Sequence, residues 1–228
     1  MNIIRPYVYV DKNELQENKL LSIERAARLC YKSEHKVGLT PNNDFISKII
    51  GRGHESVIEH EKATVFFVVD RGVSHEIVRH RIASYSQEST RYCNYSSKQF
   101  GNEITVIEPF FYVEKENLYE LWRKSCLECE KAYIELIKVS SPQEARSVLP
   151  NSLKTEIAVT FNMREWRHFF RLRCSSKAHP QMQQVSIPLL LYFQDKMPVL
   201  FNDIEYNAEF YSKNYAAIKE VDLYELEV

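Results

Sequence analysis

ATVFFVVDRGVSHEIVRHRIASYSQESTRY, residues 63–92, decides how this chain folds. Ala63 to Val69 is β-branched and aromatic and is closed by Asp70-Arg71-Gly72, which predicts a strand. A short helix is predicted from Ser74 to about Arg79, and the polar, aromatic run Tyr85 to Tyr95 reads as extended or looped. On such a helix His75, Glu76, Arg79 and His80 fall within one broad face at spacings of three and four. Core-facing helices rarely carry so much charge. If the following run is extended, Gln87, Ser89 and Arg91 project to one side and Glu88, Thr90 and Tyr92 to the other. Hydroxyl, amide and guanidinium together suit a phosphate and a planar heterocycle. Alone, Arg79-His80-Arg81 predicts an anion-binding helix end, and a solvated, salt-bridged helix is the plain alternative. A zinc HExxH site is excluded, because His80 follows His75 by five residues rather than four, and no metal is expected.

Working outward, Ile3 to Val10 predicts an opening strand, Glu14 to Tyr31 a helix, and Pro41 to Ile50 a second helix. Downstream, Ile104 to Ile107 predicts a strand and Val113 to Val139 a long helix. Ser141-Pro142 starts a short helix that Pro150 ends. Lys154 to Asn162 alternates as a strand does, and Arg164 to Leu172 and Gln181 to Lys196 read as helices, the last kinked at Pro188. Strands mixed with long helices, without regular βαβ alternation, predict an α+β fold with a mixed or antiparallel central sheet and long flanking helices. One domain over residues 1–228 is expected, with the acidic, tyrosine-rich residues 199–228 as a C-terminal extension.

Five glycines and no GxGxxG or GxxxxGK[ST] exclude a glycine-rich phosphate loop. A formal net charge of -1 supplies no global field toward nucleic acid or an anionic membrane. No apolar run reaches the length of a membrane span, so a cytoplasmic protein with no membrane partner is expected. Five cysteines without disulfide-like spacing suit a reducing compartment. Cys126 and Cys129 form a CxxC inside a charged helical pattern with no second pair, and are read as ordinary helix positions.

Arg79-His80-Arg81, seven residues, then Ser89, continued through Thr90 and Arg91, resembles the RHRx7S motif of the flavin-dependent thymidylate synthases. Gly53 to His60 (GHESVIEH) is similar to that family's GHxSxxEH segment, and Glu144 to Pro150 (EARSVLP) to its ARxVLP segment. Asn162-Met163-Arg164, His168 and Leu172-Arg173 resemble its later flavin- and nucleotide-contacting block. The similar stretches run from about Tyr31 to Lys196.

The resemblance implies reductive methylation of dUMP to dTMP, with methylenetetrahydrofolate as carbon donor and NADPH-reduced FAD as reductant. It implies a homotetramer with shared active sites. It places Ser56, Arg79, His80, Arg81, Asn162, Met163, Arg164 and His168 on FAD. It places Glu76, Ile77, Val78, Arg79, Gln87, Glu88, Ser89, Thr90, Arg91, Arg146 and Arg173 on dUMP, with Arg173 as the catalytic residue that stabilises charge on the uracil ring. No cysteine nucleophile is needed, and Ser89, with no general base beside it in sequence, reads as a substrate ligand. The chain departs from the family pattern at Glu76 (commonly Gln), Gln87 (an acid in some members) and His168 (commonly Asn). Two other readings use the same residues: a different flavin or nucleotide enzyme, and a nucleic-acid-binding module in which arginines meet phosphates and tyrosines stack bases. Near-neutral charge argues against the second.

Overall fold

Pro6 has no N–H to give to a sheet ladder, and it divides the expected opening strand in two. In the computed structural model, which describes residues 1–223, β1 (Asn2–Ile4) pairs in parallel with β5 (Thr105–Ile107), placing Asn2 opposite Thr105 and Ile4 opposite Ile107. Beyond the proline, β2 (Tyr7–Asp11) joins a different sheet of five strands. That sheet also contains β3 (Lys62–Asp70), β4 (Ala83–Gln87), β6 (Lys154–Asn162) and β7 (Ala217–Val221), in the order β4-β6-β3-β2-β7. Every second residue of β6 is buried from Thr155 to Phe161, the period-two pattern that its sequence shows.

The helices are α1 (Glu17–Cys30), α2 (Asn43–Gly51), α3 (Arg71–Ile77), α4 (Glu116–Ile137), α5 (Pro142–Ala145), α6 (Met163–Arg173), α7 (Pro180–Lys196) and α8 (Pro198–Phe201). Most begin where a side chain satisfies the first free amides. Asn42, Asp70 and Asn162 accept from Phe45, Val73 and Glu165 at the starts of α2, α3 and α6. Asp70 therefore starts α3 three residues earlier than expected, and the turn read at Asp70-Arg71-Gly72 is the first turn of the helix. Gly72 sits close under two side chains: an added Cβ would lie 2.8 Å from Nδ2 of Asn151 and 3.0 Å from Oδ1 of the capping Asp70, so those groups would have to shift. Helix α7 runs unbroken through the buried Pro188. Of the two readings of Tyr85 to Tyr95, extended and looped, the first holds only to Gln87, where β4 ends, and the second beyond it. The chain turns at Ser89, whose carbonyl accepts from the amides of both Tyr92 and Cys93 at 3.0 Å.

These elements make an α+β fold with a mixed set of strands. The described residues fall into two compact units, each assembled from separated segments. Unit 1 comprises Met1–Tyr7, Phe67–Arg79 and Ser86–Ile157. Its core gathers Tyr95, Ile104, Val106, Cys126, Tyr133, Ala145 and Leu153. Cys126 of the CxxC is one of these core positions on α4, its thiol pushed up to about 11 by burial, as a plain helix residue would be. Unit 2 comprises Val8–Phe66, His80–Tyr85 and the chain from Ala158 onward. Its centre is aromatic: Trp166 packs on Phe161, Phe169, Phe170 and Phe193, with its indole N–H donated to the carbonyl of Ala63 at 3.0 Å. Part of the expected C-terminal extension is built into this unit as α8 and β7, and residues 224–228 lie outside the described residues.

Candidate active site

In unit 1 the helix α3 presents Arg71 and His75 one turn apart. Its inner face buries Val73, Ser74 and Ile77, the last with no exposed surface, so Ile77 has only its backbone to offer a ligand. Glu76 is half-buried, while Val78 and Arg79 are exposed just beyond the helix end. The next polar run is held by its own side chains. Nε2 of Gln87 donates to Ser74 at 3.0 Å and Thr155 at 3.2 Å. Glu88 is fully engaged: its amide donates to Glu156, its carbonyl accepts from Arg71 at 3.1 Å, and its carboxylate accepts from Tyr95 at 2.7 Å and Lys154 at 3.0 Å. That clamp leaves Ser89, Thr90 and Arg91 on a turn at the surface, where Oγ of Ser89 accepts from the amide of Arg91 at 3.3 Å.

Arg146 arrives from a separate segment. Ser141 and Glu144 form a reciprocal capping box that starts α5, and the helix ends in a tight turn at Arg146–Val148. The guanidinium of Arg146 then lies 3.4 Å from Oγ1 of Thr90. A cleft of about 380 Å³ opens here, lined by Arg71, His75, Thr90, Arg146, Pro150 and Asn151 among others. Two guanidiniums and an imidazole around one small opening are donors of the kind that suit an anion. Arg71, His75 and Asn151 were not among the expected ligands. The i, i+4 pair on α3 was readable, whereas Asn151 comes from a loop with no local signal.

In unit 2 the end of β6 and the start of α6 build a second cleft. Oδ1 of Asn162 accepts from the amide of Glu165 at 2.8 Å. Met163 is fully buried, its amide donated to Glu61 at 2.9 Å. Arg164, His168 and Arg171 follow along one face of α6 and are exposed. Glu55 and Glu59, on the tight turn Glu55–His60, face them. Arg164 pairs with Glu59 at 2.5 Å, and Glu55 receives both Arg167 at 3.1 Å and Arg171 at 3.2 Å. A cleft of about 470 Å³ is lined by Glu55, Glu59, Ile82, Asn162, Arg164, Glu165, His168 and Arg171. Ser56 and Arg81 are exposed nearby in sequence but outside this lining. Glu55 and Glu59 lie inside the GHxSxxEH-like segment. Ile82, Glu165 and Arg171 carried no signal beyond their neighbours.

Behind this cleft His80 is turned inward and is 4% exposed. Its ring packs against Phe161, His168 and Phe169. Nδ1 lies 2.7 Å from Oε1 of Glu165, and Nε of Arg173 donates to Nε2 at 3.2 Å. Burial holds the ring's pKa below the ordinary histidine value; the hydrogen bond to Glu165 opposes this and the charge of Arg173 adds to it. Tyr85 closes the network by donating to the carbonyl of His80, its phenol pushed up to about 12 by burial and by Glu165. His80, Glu165 and His168 bring potential ligand atoms within 4.8 Å of one another, but a cation there would meet the Arg173 guanidinium already bonded to His80. Among the described residues no helix is long and apolar enough to cross a membrane.

The expected flavin residues Asn162, Arg164 and His168 therefore share one cleft, and the expected nucleotide residues Thr90 and Arg146 share another. Arg173 belongs to unit 2 with His80.

Comparison with known proteins converges on the same segments. Residues 14–199 match the model of a family described as thymidylate synthase complementing protein. A flavin-dependent thymidylate synthase of Geobacter sulfurreducens is 35% identical over 190 residues, covering 80% of each chain. One from Corynebacterium aurimucosum is 34% identical over 200 residues, covering 79% of this chain and 78% of its own. One from Pyrococcus abyssi is 39% identical over 149 residues, 64% of this chain and 59% of its own. The matched span contains both clefts and the His80–Arg173 contact, and on that ground the chain belongs to the flavin-dependent thymidylate synthase family.

Proposed function

We propose that the cleft at the start of α6 holds FAD and that the cleft beside α3 holds the phosphate of dUMP. The observation that carries this is the gathering of Asn162, Arg164 and His168 on one opening. As a flavin-dependent thymidylate synthase the chain is a methyltransferase that converts dUMP to dTMP. Methylenetetrahydrofolate is the carbon donor, and NADPH reduces the flavin. Bound FAD supplies the hydride that turns the transferred carbon into a methyl group.

The residues present suit that cofactor. In a chain without a glycine-rich loop, the exposed guanidiniums of Arg79, Arg81 and Arg164 meet its pyrophosphate, with Ser56, Asn162 and His168 as further donors. Ile82 gives the cleft an apolar surface for a flat ring. Met163 takes part through its backbone, since its side chain is buried, and His80 holds the segment from within.

For dUMP, Arg146, Thr90, Ser89 and Arg91 bind the phosphate, joined by Arg71 and His75 from α3. Gln87 and Glu88 fix the turn that presents them, and Glu76, Ile77, Val78 and Arg79 supply the helix end. Arg173 stabilises negative charge on the uracil ring, an electrostatic role that needs no cysteine. The enzyme works as a cytoplasmic homotetramer with shared active sites. Support comes from exposed apolar residues in and just after the motif, Ile82 at 69% and Tyr92 at 78%, and from five cysteines outside any disulfide. Residues 1–228 are read as one domain, a reading that the alternation of unit 1 and unit 2 along the sequence supports.

Purified protein is expected to be yellow, to release FAD on denaturation, and to oxidise NADPH faster when dUMP is added. A colourless protein that takes up no FAD would sink the flavin assignment; a yellow one indifferent to dUMP would favour another flavin enzyme. In Arg146→Ala, loss of a charged hydrogen bond of about 1.5–3 kcal/mol raises KM for dUMP by about 10–100-fold, with kcat changed less. Steady-state kinetics at fixed folate checks this, and an unchanged KM would remove Arg146 from the phosphate site.

A further inference from the structure

Glu165 follows Arg164 on α6 and belongs to neither expected ligand set, yet it makes the shorter of the two bonds that hold the His80 ring. It occupies the third helical position after the cap Asn162. A carboxylate there commonly turns back to the cap's own amide. Here it reaches His80 instead, at 2.7 Å, with its residue only 8% exposed.

The chemistry of arginine fixes the protons in this network. A guanidinium only donates, so the 3.2 Å contact from Nε of Arg173 requires a lone pair on Nε2 of His80. The ring proton then sits on Nδ1, where it is donated to Glu165. A neutral ring with this tautomer satisfies both contacts, and a doubly protonated ring would place an N–H against the guanidinium of Arg173. The groups facing the ring are Glu165, Arg173 and His168 on α6, the Phe161 and Phe169 rings, and Tyr85, which bonds the His80 carbonyl. Of these, the Glu165 carboxylate is placed to choose the tautomer.

We propose that Glu165 is a positioning residue for the methyl-transfer step, fixing the His80 tautomer whose Nε2 aims the guanidinium of Arg173. This rests on the reading of Arg173 as the residue beside the uracil ring. It gives the buried middle residue of Arg79-His80-Arg81 a task inside the protein: linking the cleft wall to the catalytic arginine.

The test uses flavin-loaded enzyme in four forms, Glu165→Gln, Glu165→Ala, His80→Asn and Arg173→Ala. Glutamine is isosteric but loses the charge and can present its amide to Nδ1, so kcat for dTMP formation is expected to fall about tenfold, with a smaller change in flavin content. Because the hydrogen bond and charge of Glu165 both raise the His80 pKa, the acidic limb of the kcat profile should also move to lower pH in Glu165→Gln. A packing role would not move that limb. Asparagine in place of His80 can keep an Nδ2 donor for Glu165, but its Oδ1 acceptor does not extend to the position of Nε2 where Arg173 donates, so kcat should fall as far, and with no imidazole to titrate the limb should disappear. Glu165→Ala should fall further; if it fails to fold, Glu165→Gln and His80→Asn decide the matter. Unchanged kcat and an unmoved limb in Glu165→Gln, beside an Arg173→Ala enzyme that has lost dTMP formation, would overturn the relay and leave the active-site reading standing. An Arg173→Ala enzyme that still makes dTMP at the normal rate would instead overturn the reading of Arg173, and the relay with it.

Discussion

Arg173→Ala is expected to lower dTMP formation by about 10²–10³-fold, the range that follows removal of one preorganised donor aimed at developing charge. Flavin content should be largely retained, because Arg173 lies outside the lining of the cleft that gathers Asn162, Arg164 and His168. The loss should appear mainly in kcat, since a cation that acts on charge formed during the reaction contributes more to the transition state than to the bound ground state. Truncation also removes the donor to Nε2 of His80 and leaves that nitrogen a buried acceptor, costing stability on the order of 1–3 kcal/mol. Arg173→Lys separates the two effects. Lysine keeps the charge but has no Nε–H in the guanidinium position, so a partial recovery of rate with the same stability loss is expected. Flavin and folded structure lost together in both variants would mean that Arg173 is chiefly structural.

The second large effect concerns stability. Arg167 is 1% exposed and is held by three groups of unit 2. It donates to Glu55 at 3.1 Å, to both oxygens of Asp203 at 2.7 Å and 2.6 Å, and to the carbonyl of Leu200. Removing one partner of a buried pair typically costs about 3–5 kcal/mol, because the remaining charge is left without compensation. Arg167→Ala should fall near the lower end of that range, since Asp203 is 53% exposed and regains water. Urea midpoints of flavin-free protein measure it, and a loss under about 1 kcal/mol would show that water or Arg171 replaces the guanidinium.

The same cluster has a pH signature. Burial raises the pKa of Glu55, but the hydrogen bond from Arg171 and the charges of Arg167 and Arg171 outweigh it, so the carboxyl is held below its ordinary value of 4.5. A depressed carboxyl contributes stability that is fully present above the unfolded value and is lost as pH falls through the folded one. The wild-type protein should therefore lose stability below about pH 4.5, and Arg167→Ala should show a shallower loss over that window.

Much of this was legible in the order of residues. β6 spans Lys154–Asn162, as its alternation predicts, and α1, α4 and α7 agree with their apolar periodicity to within a few residues. The grouping of Thr90 with Arg146, and of Asn162 with Arg164 and His168, could be anticipated from motif spacing, and the structure brings each group onto one cleft. What failed locally failed for identifiable reasons. Pro6 sends its two flanking strands to different sheets, and Asp70 moves the start of α3 by capping it; at Ser89 the chain turns, the looped of the two alternatives read there.

Residue types and spacings alone thus determined the helices and strands, the α+β class, and a set of cationic and polar side chains suited to an anionic nucleotide and a flavin. Only the folded chain decided which of those side chains remain available and which are consumed. Glu88 and Gln87 are engaged within unit 1, Met163 and Ile77 are buried, and His80 is enclosed between Glu165 and Arg173. The physical reason is one of range. Propensity, capping and periodicity act over a few residues, whereas the partners of His80 lie 85 and 93 residues away and are chosen by packing. Sequence marked His80 as part of a motif, and tertiary structure buried its ring between Glu165 and Arg173.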